Sequence, residues 1–580
     1  LFLKHRTSCI LVSLSYLALA LLFAWPLVLY GGTHVIGPFH GDNLEYVWKM
    51  WWVRHAWFDL GVSPWSVPHI NWPEGYLLAY GEITPLHTVL MLPLNLLLGE
   101  VRTYNLAILL STWLSGWFTY LWLLDLTNGS RGAAFVGGLV FAFCPYRMAR
   151  IAGHLPLVST EGIPLVLWGM ERFWKRRRWR EGLLIAAGVS VSALSSWYYA
   201  LALMLLAPVY WLMRARPWHM WLAGRWFWLG VGMAVLLVAY AVTPFAFLYA
   251  DIARMGQATF PLEEADFWSA SLADYLLPNW RHPLWGTAVR RIFWGQEGLP
   301  PYEFLLSLGY SGGILAFLGW RGARHPARGA ITAWTVVALV LSLGPSLHLL
   351  PGWSLRVPLP AGWIDRLTAT LTWLGGHSLA QESFTLNASD AVVFPLPALL
   401  VRWFVPVGAG LRSWGRFSLF AVLGVAALAA LSLSAMERRV GPPAWHRRLL
   451  TFFAGFLVLF EFYTGPQSLI LVRPRPVDEW LARQPGEFAI VQMPLKAALS
   501  GPQMFYSRYP VKNVVGSYGT YYPILFERRY PELAGFPDDA SIERLARWPV
   551  RYVLVAQADL LNYPGLAEAM TRQPRLRHVI

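Results

Sequence analysis

The 580 residues are 56% hydrophobic and only 14% charged, with a mean hydropathy of +0.42. That balance over such a length excludes a soluble globular enzyme and describes an α-helical polytopic membrane protein. The 47 basic and 32 acidic residues leave a net charge of +15, but the basic residues cluster briefly between apolar runs, as cytoplasmic loops do, which speaks against nucleic acid as a partner. Two cysteines, Cys9 and Cys144, both in apolar segments, argue against a disulfide framework and against a thiolate metal site.

Lys4, His5 and Arg6 precede an apolar run over 10–30 that is long for a signal-peptide core and lacks a small-residue cleavage site, so it reads as an uncleaved signal anchor. The chain begins with Leu1, consistent with a non-standard start codon or a few missing residues, and stops at Ile580 in what reads as the middle of a strand. Apolar spans are expected at 10–30, 104–124, 132–150, 157–174, 182–198, 199–213, 226–249, 303–320, 330–350, 416–436 and 449–464, eleven in all. The stretch 85–99 is apolar but short and interrupted by Pro93. Placing it in the interface puts Arg131, the Lys175-Arg176-Arg177-Arg178 run, Arg214, Arg321 and Arg438-Arg439 all inside, as the positive-inside rule requires. Residues 31–103 then form one long external loop, the N-terminus is cytoplasmic and the C-terminus extracytoplasmic.

Directly after the first span comes Phe39-His40-Gly41-Asp42-Asn43-Leu44-Glu45-Tyr46. A carboxylate at the mouth of a helical bundle is only partly desolvated, so Asp42 can stay ionised, accept a proton or share a metal. It reads equally well as the cap of an amphipathic helix over 44–59. Arg147, Arg150, Glu161, Glu303, Arg416 and Glu461 all fall near external span ends, while the mid-bilayer stretches are nearly free of charge. Ion-coupled transporters usually retain such charges, so a proton-driven transporter is disfavoured, and charges gathered at one face suit an enzyme acting on an amphiphile with its phosphate at headgroup level. Each charge alone also reads as interfacial snorkelling. Arg147 and Arg150 are one helical turn apart, a spacing that lets both reach one anion.

A second external loop, 250–301, carries Ser271-Leu272-Ala273-Asp274-Tyr275 and His282-Pro283-Leu284-Trp285-Gly286. Its Trp and Pro content suits a loop at headgroup depth that closes over a lipid-linked substrate, with Asp274 and His282 as candidate contacts. A third stretch, 351–413, ends at Arg412 near Arg416 and contains the sequon Asn387-Ala388-Ser389. From 465 the composition changes. Strands are expected over 487–493 and 551–556, with a helix over 541–547 capped by Asp538-Asp539, so residues 465–580 form a small α/β extracytoplasmic domain beside a transmembrane domain of 1–464. Phe505, Tyr506, Tyr518, Tyr521 and Tyr522 are placed to stack on sugar rings or to pack. No glycine-rich phosphate loop is present, and Gly137-Gly138 and Gly312-Gly313 read as helix-packing positions.

The succession of Gly41-Asp42-Asn43, Glu82-Ile83-Thr84-Pro85, Pro145-Tyr146-Arg147, His154-Leu155, Ser159-Thr160-Glu161 and Ser195-Ser196-Trp197-Tyr198-Tyr199 resembles the GT-C superfamily of integral-membrane glycosyltransferases. That group contains the aminoarabinose and protein O-mannosyl transferases, and the resemblance points to a bacterial subgroup left uncharacterised. It covers most of residues 1–320 in organisation. It implies a polyprenyl-phosphate-sugar donor, a cell-envelope glycan, lipid or protein acceptor, and an inverting transfer in the cell membrane. Asp42 matches the first-loop carboxylate and is implied as general base. Glu82 and Glu161 match further acidic positions of the site, and Arg147, Arg150, His154 and Arg416 are implied as substrate contacts. A divalent metal is implied for some relatives, with Asp42, Glu82, His154 and Glu161 as its ligands here. The chain departs from the Asp-x-Asp, Asp-Glu or Thr-Pro-Asp found at these places in relatives. Two other classes remain: a lipid or glycan translocase, which should depend on an internal pathway rather than on Asp42, and a non-catalytic scaffold, which should tolerate Asp42→Asn.

Overall fold

An apolar run that cannot hydrogen-bond to water closes its backbone bonds internally, and each expected span overlaps a helix. The computed structural model describes residues 6–39, 41–215, 224–256, 258–295, 298–375, 391–405, 407–440, 443–495, 497–521 and 530–579; the sequon at Asn387, Tyr522 and Ile580 lie outside them. The helices that matter are α1 (Arg6–Phe23), α2 (Asn43–Arg54), α3 (Glu100–Leu126), α4 (Arg131–Ala142), α5 (Pro145–Arg150), α6 (Gly162–Arg176), α7 (Arg180–Ser195), α8 (Trp197–Arg214), α9 (Arg225–Ala246), α10 (Tyr310–Gly322), α11 (Arg328–Ser342), α12 (Ser418–Val440) and α13 (Ala444–Phe462). Among the described residues three helical stretches, Glu100–Leu126, Trp228–Arg254 and Trp414–Val440, are by length and composition long and apolar enough to cross a membrane.

α12 is the axis of the bundle. Its Ala- and Gly-rich sequence is buried from Ser418 to Ser434, because small side chains let neighbouring backbones approach closely. A Cβ on Gly319 would collide with the Leu428 carbonyl, and one on Gly137 with Leu123 and the Ala426 carbonyl. Gly138 presses on Tyr16 and Gly312 lies against Val140, whereas Gly313 faces open space, so the packing expected of these glycines holds for three of the four. α3 turns its polar residues Thr103, Asn105, Ser111, Thr112, Ser115 and Thr119 inward, all buried. α9 is the opposite case: Val235, Leu236 and Tyr240 on it are exposed.

Two boundaries differ from the sequence reading, and the interfacial reading of 85–99 holds. The span expected over 132–150 ends at Ala142, because Pro145 supplies no N–H and holds Cys144 in extended backbone (ψ 151°), so α5 starts as a separate short helix. The span expected from 303 begins only at Tyr310, after Pro300-Pro301 and a Gly309 at φ 80°. The stretch 85–99 divides into a π-helical turn, Leu86–Leu90, and a seven-residue helix, Leu92–Leu98, and at about 1.5 Å per residue neither piece can cross a bilayer.

The outer part is knitted from distant segments. β1 (His34–Ile36) pairs antiparallel with β2 (Leu469–Leu471), tying the start of the long loop to the residues after α13. Beyond them β3 (Ala489–Met493) lies between β4 (Asn513–Val514) and β5 (Val550–Val555), parallel to both. The expected strands and helix are there: Asp538 accepts the Ser541 N–H at 2.8 Å and caps a helix over Asp539–Arg547. The chain end at His578 and Val579 is irregular rather than a strand. Phe505 is buried and packs rather than facing a ligand. The Trp72 N–H donates to the Val514 carbonyl at 2.9 Å and the Asn71 N–H to that of Gly516 at 3.1 Å, so the α/β unit rests directly on loop 31–103.

Candidate active site

Asp42 precedes α2, yet its carboxylate makes no capping bond to that helix. One oxygen, Oδ1, accepts the Tyr518 hydroxyl at 2.5 Å, and the other, Oδ2, lies 3.5 Å from His154 Nε2. The Asp42 side chain is 30% exposed and that of His154 23%, so both are mostly enclosed and open to solvent on one side. Gly153, at φ 141°, supplies the turn that carries His154 there; a Cβ on it would come within 3.7 Å of the Asp42 N–H nitrogen. Burial lowers His154 to about 4, with Asp42 opposing and Arg150 and Arg416 reinforcing the shift, so the imidazole is neutral near pH 7 and acts as a hydrogen-bonding group, not a cation.

One turn into α2, Glu45 and Lys49 form a buried ion pair. Lys49 also donates to the Glu82 carbonyl at 2.9 Å, which fixes the loop bearing Glu82. Gly81 permits this close pass, since a Cβ there would collide with both the Glu45 carboxylate and the Lys49 ammonium. Burial raises Glu45 to about 7 against the pull of Lys49, and Asp42 and Glu82 add to the rise. Glu82 is likewise raised by burial, while Arg416 and Lys49 pull it down and Asp42 pushes it up. Three carboxylates therefore sense one another, held by one buried lysine and a rim of arginines.

Those arginines are organised by Glu303. Arg150 donates to it through both terminal nitrogens, at 3.1 and 2.6 Å, and Arg416 donates at 2.8 Å. The Arg150 side chain is fully buried and that of Arg416 is 12% exposed, lying over the Tyr198 ring at 4.3 Å from its centre. Arg412 pairs with Glu264 at 3.5 Å and is 30% exposed. The arginines able to meet an incoming anion are thus Arg416 and Arg412, with Arg150 behind them.

The remaining expected residues go elsewhere. Arg147 turns away from Arg150: its guanidinium donates to the Ala142 carbonyl, left free by the break before Pro145, and, at 2.8 Å, to that of Val158, the last residue of a short helix over Leu155–Val158. The two arginines, though on one helix, do not face one anion: Arg147 is taken up by backbone carbonyls and Arg150 by Glu303. Glu161 accepts the Ser111 hydroxyl at 2.6 Å inside the bundle, with Arg147 as its charged neighbour. Asp274 closes a capping box with Ser271, accepting its N–H at 2.7 Å and its hydroxyl at 2.8 Å. Burial holds it up at about 6. His282 stacks on Trp285 with ring centres 3.4 Å apart and bonds the Phe460 carbonyl at 3.0 Å. Glu461 caps α10 through the Ser311 N–H at 2.9 Å.

The four candidate metal ligands do not converge: Asp42, Glu82 and His154 share the cleft, while Glu161 belongs to Ser111. Among the described residues no group of three or more His, Cys, Asp or Glu stands ready to hold a metal ion. Sequence reasoning missed Glu45, Lys49, Arg412, Glu303 as the organiser, and Tyr518. Glu45 and Lys49 at i and i+4 on the helix beginning at Asp42 carried a usable signal; Tyr518, 476 positions from Asp42, carried none.

No protein-family model matches the chain, and no curated protein matches it by sequence. Solved structures do. The chain is similar to the arabinofuranosyltransferase AftD from Mycobacteria (TM-score 0.57, 16% identity, 95% of this chain and 35% of that one). It is also similar to the Archaeoglobus fulgidus oligosaccharyltransferase tethered with an acceptor peptide (TM-score 0.50, 10% identity, 95% and 68%). ArnT from Cupriavidus metallidurans bound to undecaprenyl phosphate aligns over 95% of this chain and 94% of its own at TM-score 0.45 and 13% identity. The fold is that of a polytopic helical membrane protein with its polar cleft at one end of the bundle. More narrowly, it is the fold seen in the arabinofuranosyltransferase and oligosaccharyltransferase structures. The chain spans about a third of the length of the arabinofuranosyltransferase structure.

Proposed function

We propose that the chain is an inverting glycosyltransferase that moves a sugar from a polyprenyl-phosphate donor to a hydroxyl of a cell-envelope glycan, lipid or protein outside the membrane. The observation that carries this reading is Asp42: a carboxylate 30% exposed, with one oxygen held by Tyr518, the other beside His154, and arginines at the rim. The acceptor hydroxyl passes its proton to Asp42 Oδ2 as its oxygen bonds to the anomeric carbon on the face opposite the phosphate. The bond from that carbon to the phosphate oxygen breaks, its electrons stay on the polyprenyl phosphate, and the configuration inverts. Charge gathers on the phosphate, where Arg416 and Arg412 stabilise it by charge-assisted hydrogen bonds.

An apolar cavity of about 760 Å³ between α6, α7, α8 and α9 supports an amphiphilic donor. It runs from Gly182 and Gly230 to Thr243 and Ala246, and three residues beyond, the Tyr249 hydroxyl accepts the Ile83 N–H at 3.0 Å, next to Glu82. A prenyl tail in the cavity would bring its headgroup to the carboxylate cleft. The site then faces outward, with the N-terminus inside, eleven spans and the α/β unit external. A reporter fused after Arg178 is expected to read cytoplasmic and one after Gly465 extracytoplasmic; the reverse at either point overturns this topology.

The arginines give the direct test of donor binding. With undecaprenyl phosphate as probe, Arg416→Gln is expected to weaken binding by roughly 10-fold or more, the scale of a lost charge-assisted contact. Arg147→Gln should lower thermal stability and leave that affinity unchanged. Unaltered binding in Arg416→Gln contradicts the placement of the phosphate.

A further inference from the structure

The α/β unit does more than cover the bundle. Its segment from Val514 to Tyr521 crosses loop 31–103 and is pinned there: the Tyr521 N–H donates to the Tyr80 carbonyl at 2.6 Å and the Tyr76 hydroxyl to the Tyr518 carbonyl at 2.8 Å. Gly519 passes so close that a Cβ on it would lie 2.7 Å from the Tyr80 carbonyl oxygen and 2.8 Å from the Tyr76 hydroxyl. Farther along, the Tyr521 ring stacks on Phe260 with centres 5.8 Å apart. The Tyr518 side chain is thereby set over Asp42, its hydroxyl at 2.5 Å from Oδ1.

We infer that Tyr518 is a positioning residue for Asp42, so that the extracytoplasmic α/β unit completes the reaction centre and its docking on loop 31–103 prepares the base. This rests on the glycosyltransferase reading above. A carboxylate free to turn presents either oxygen to the acceptor. With Oδ1 engaged by a donor, Oδ2, beside His154, is the oxygen left for the acceptor. The Tyr518 hydroxyl donates to the carboxylate, which is why its removal should be felt.

The test uses membranes from cells making the full chain, with a total lipid extract of those cells as the source of lipid-linked sugar and its consumption followed by mass spectrometry. Tyr518→Phe, which deletes one hydroxyl and keeps the ring, is expected to slow transfer roughly 10-fold or more, with undecaprenyl phosphate binding and the thermal midpoint unchanged. Tyr518→Gln, which retains a donor, should recover part of that rate. An unchanged rate in Tyr518→Phe, or equal losses in both variants, overturns the proposal. Asp42→Asn run alongside separates the two readings: if it is inactive while Tyr518→Phe keeps the ordinary rate, only the role of Tyr518 falls, and if Asp42→Asn is fully active, the glycosyltransferase reading falls first.

Discussion

Replacing Asp42 by Asn is expected to lower sugar transfer by roughly 10²–10⁴-fold, the usual scale for removing a general base, while the protein inserts and folds as before. The small structural effect follows from the geometry. The Asp42 carboxylate is 30% exposed, caps no helix and joins only Tyr518 and His154, and an amide oxygen in its place can still accept the Tyr518 hydroxyl. Initial rates in membranes, normalised to the amount of folded chain, check this. A variant with near-normal rates would assign Asp42 to the scaffold and not to the chemistry.

The second large effect concerns stability. Glu303 neutralises Arg150, which is fully buried, and Arg416, which is nearly so. Glu303→Gln keeps the shape and removes the charge, leaving the buried Arg150 and the mostly buried Arg416 without their shared carboxylate. Losing one partner of a buried pair costs about 3–5 kcal/mol, so the thermal midpoint in detergent should fall steeply. Glu264→Gln is the contrast: its pair with Arg412 is about one-third exposed on both sides, and surface pairs contribute only about 0–1 kcal/mol. Equal losses in the two variants would show that the Glu303 cluster is hydrated rather than buried.

The helical framework was readable because hydrophobic runs and basic loops are local signals, and the small α/β unit because its strands are short apolar runs beside a capped helix. Span ends were less readable where backbone chemistry overruled hydropathy. Pro145 splits a run that looks continuous, and this is why Arg147, read as a partner of Arg150, bonds carbonyls instead. Asp42 and Glu82 could be placed in one loop from sequence, and His154 in the next turn. The bonds that organise them could not: Glu303 lies 153 residues from Arg150, and Tyr518 lies 476 from Asp42. Asp274 and His282 show the reverse limit, since a polar residue in a Trp- and Pro-rich loop looks the same whether it faces a substrate or, as here, caps a helix or stacks on an indole.

The most direct test is mass spectrometry of lipid and envelope extracts from three strains: one making the chain, one lacking it and one making Asp42→Asn at the same level. The account predicts that a polyprenyl-phosphate-linked sugar accumulates, and one glycosylated envelope component disappears, in both the strain lacking the chain and the Asp42→Asn strain. Extracts from the Asp42→Asn strain that match those of the unsubstituted chain, with differences confined to the strain lacking it, would contradict it.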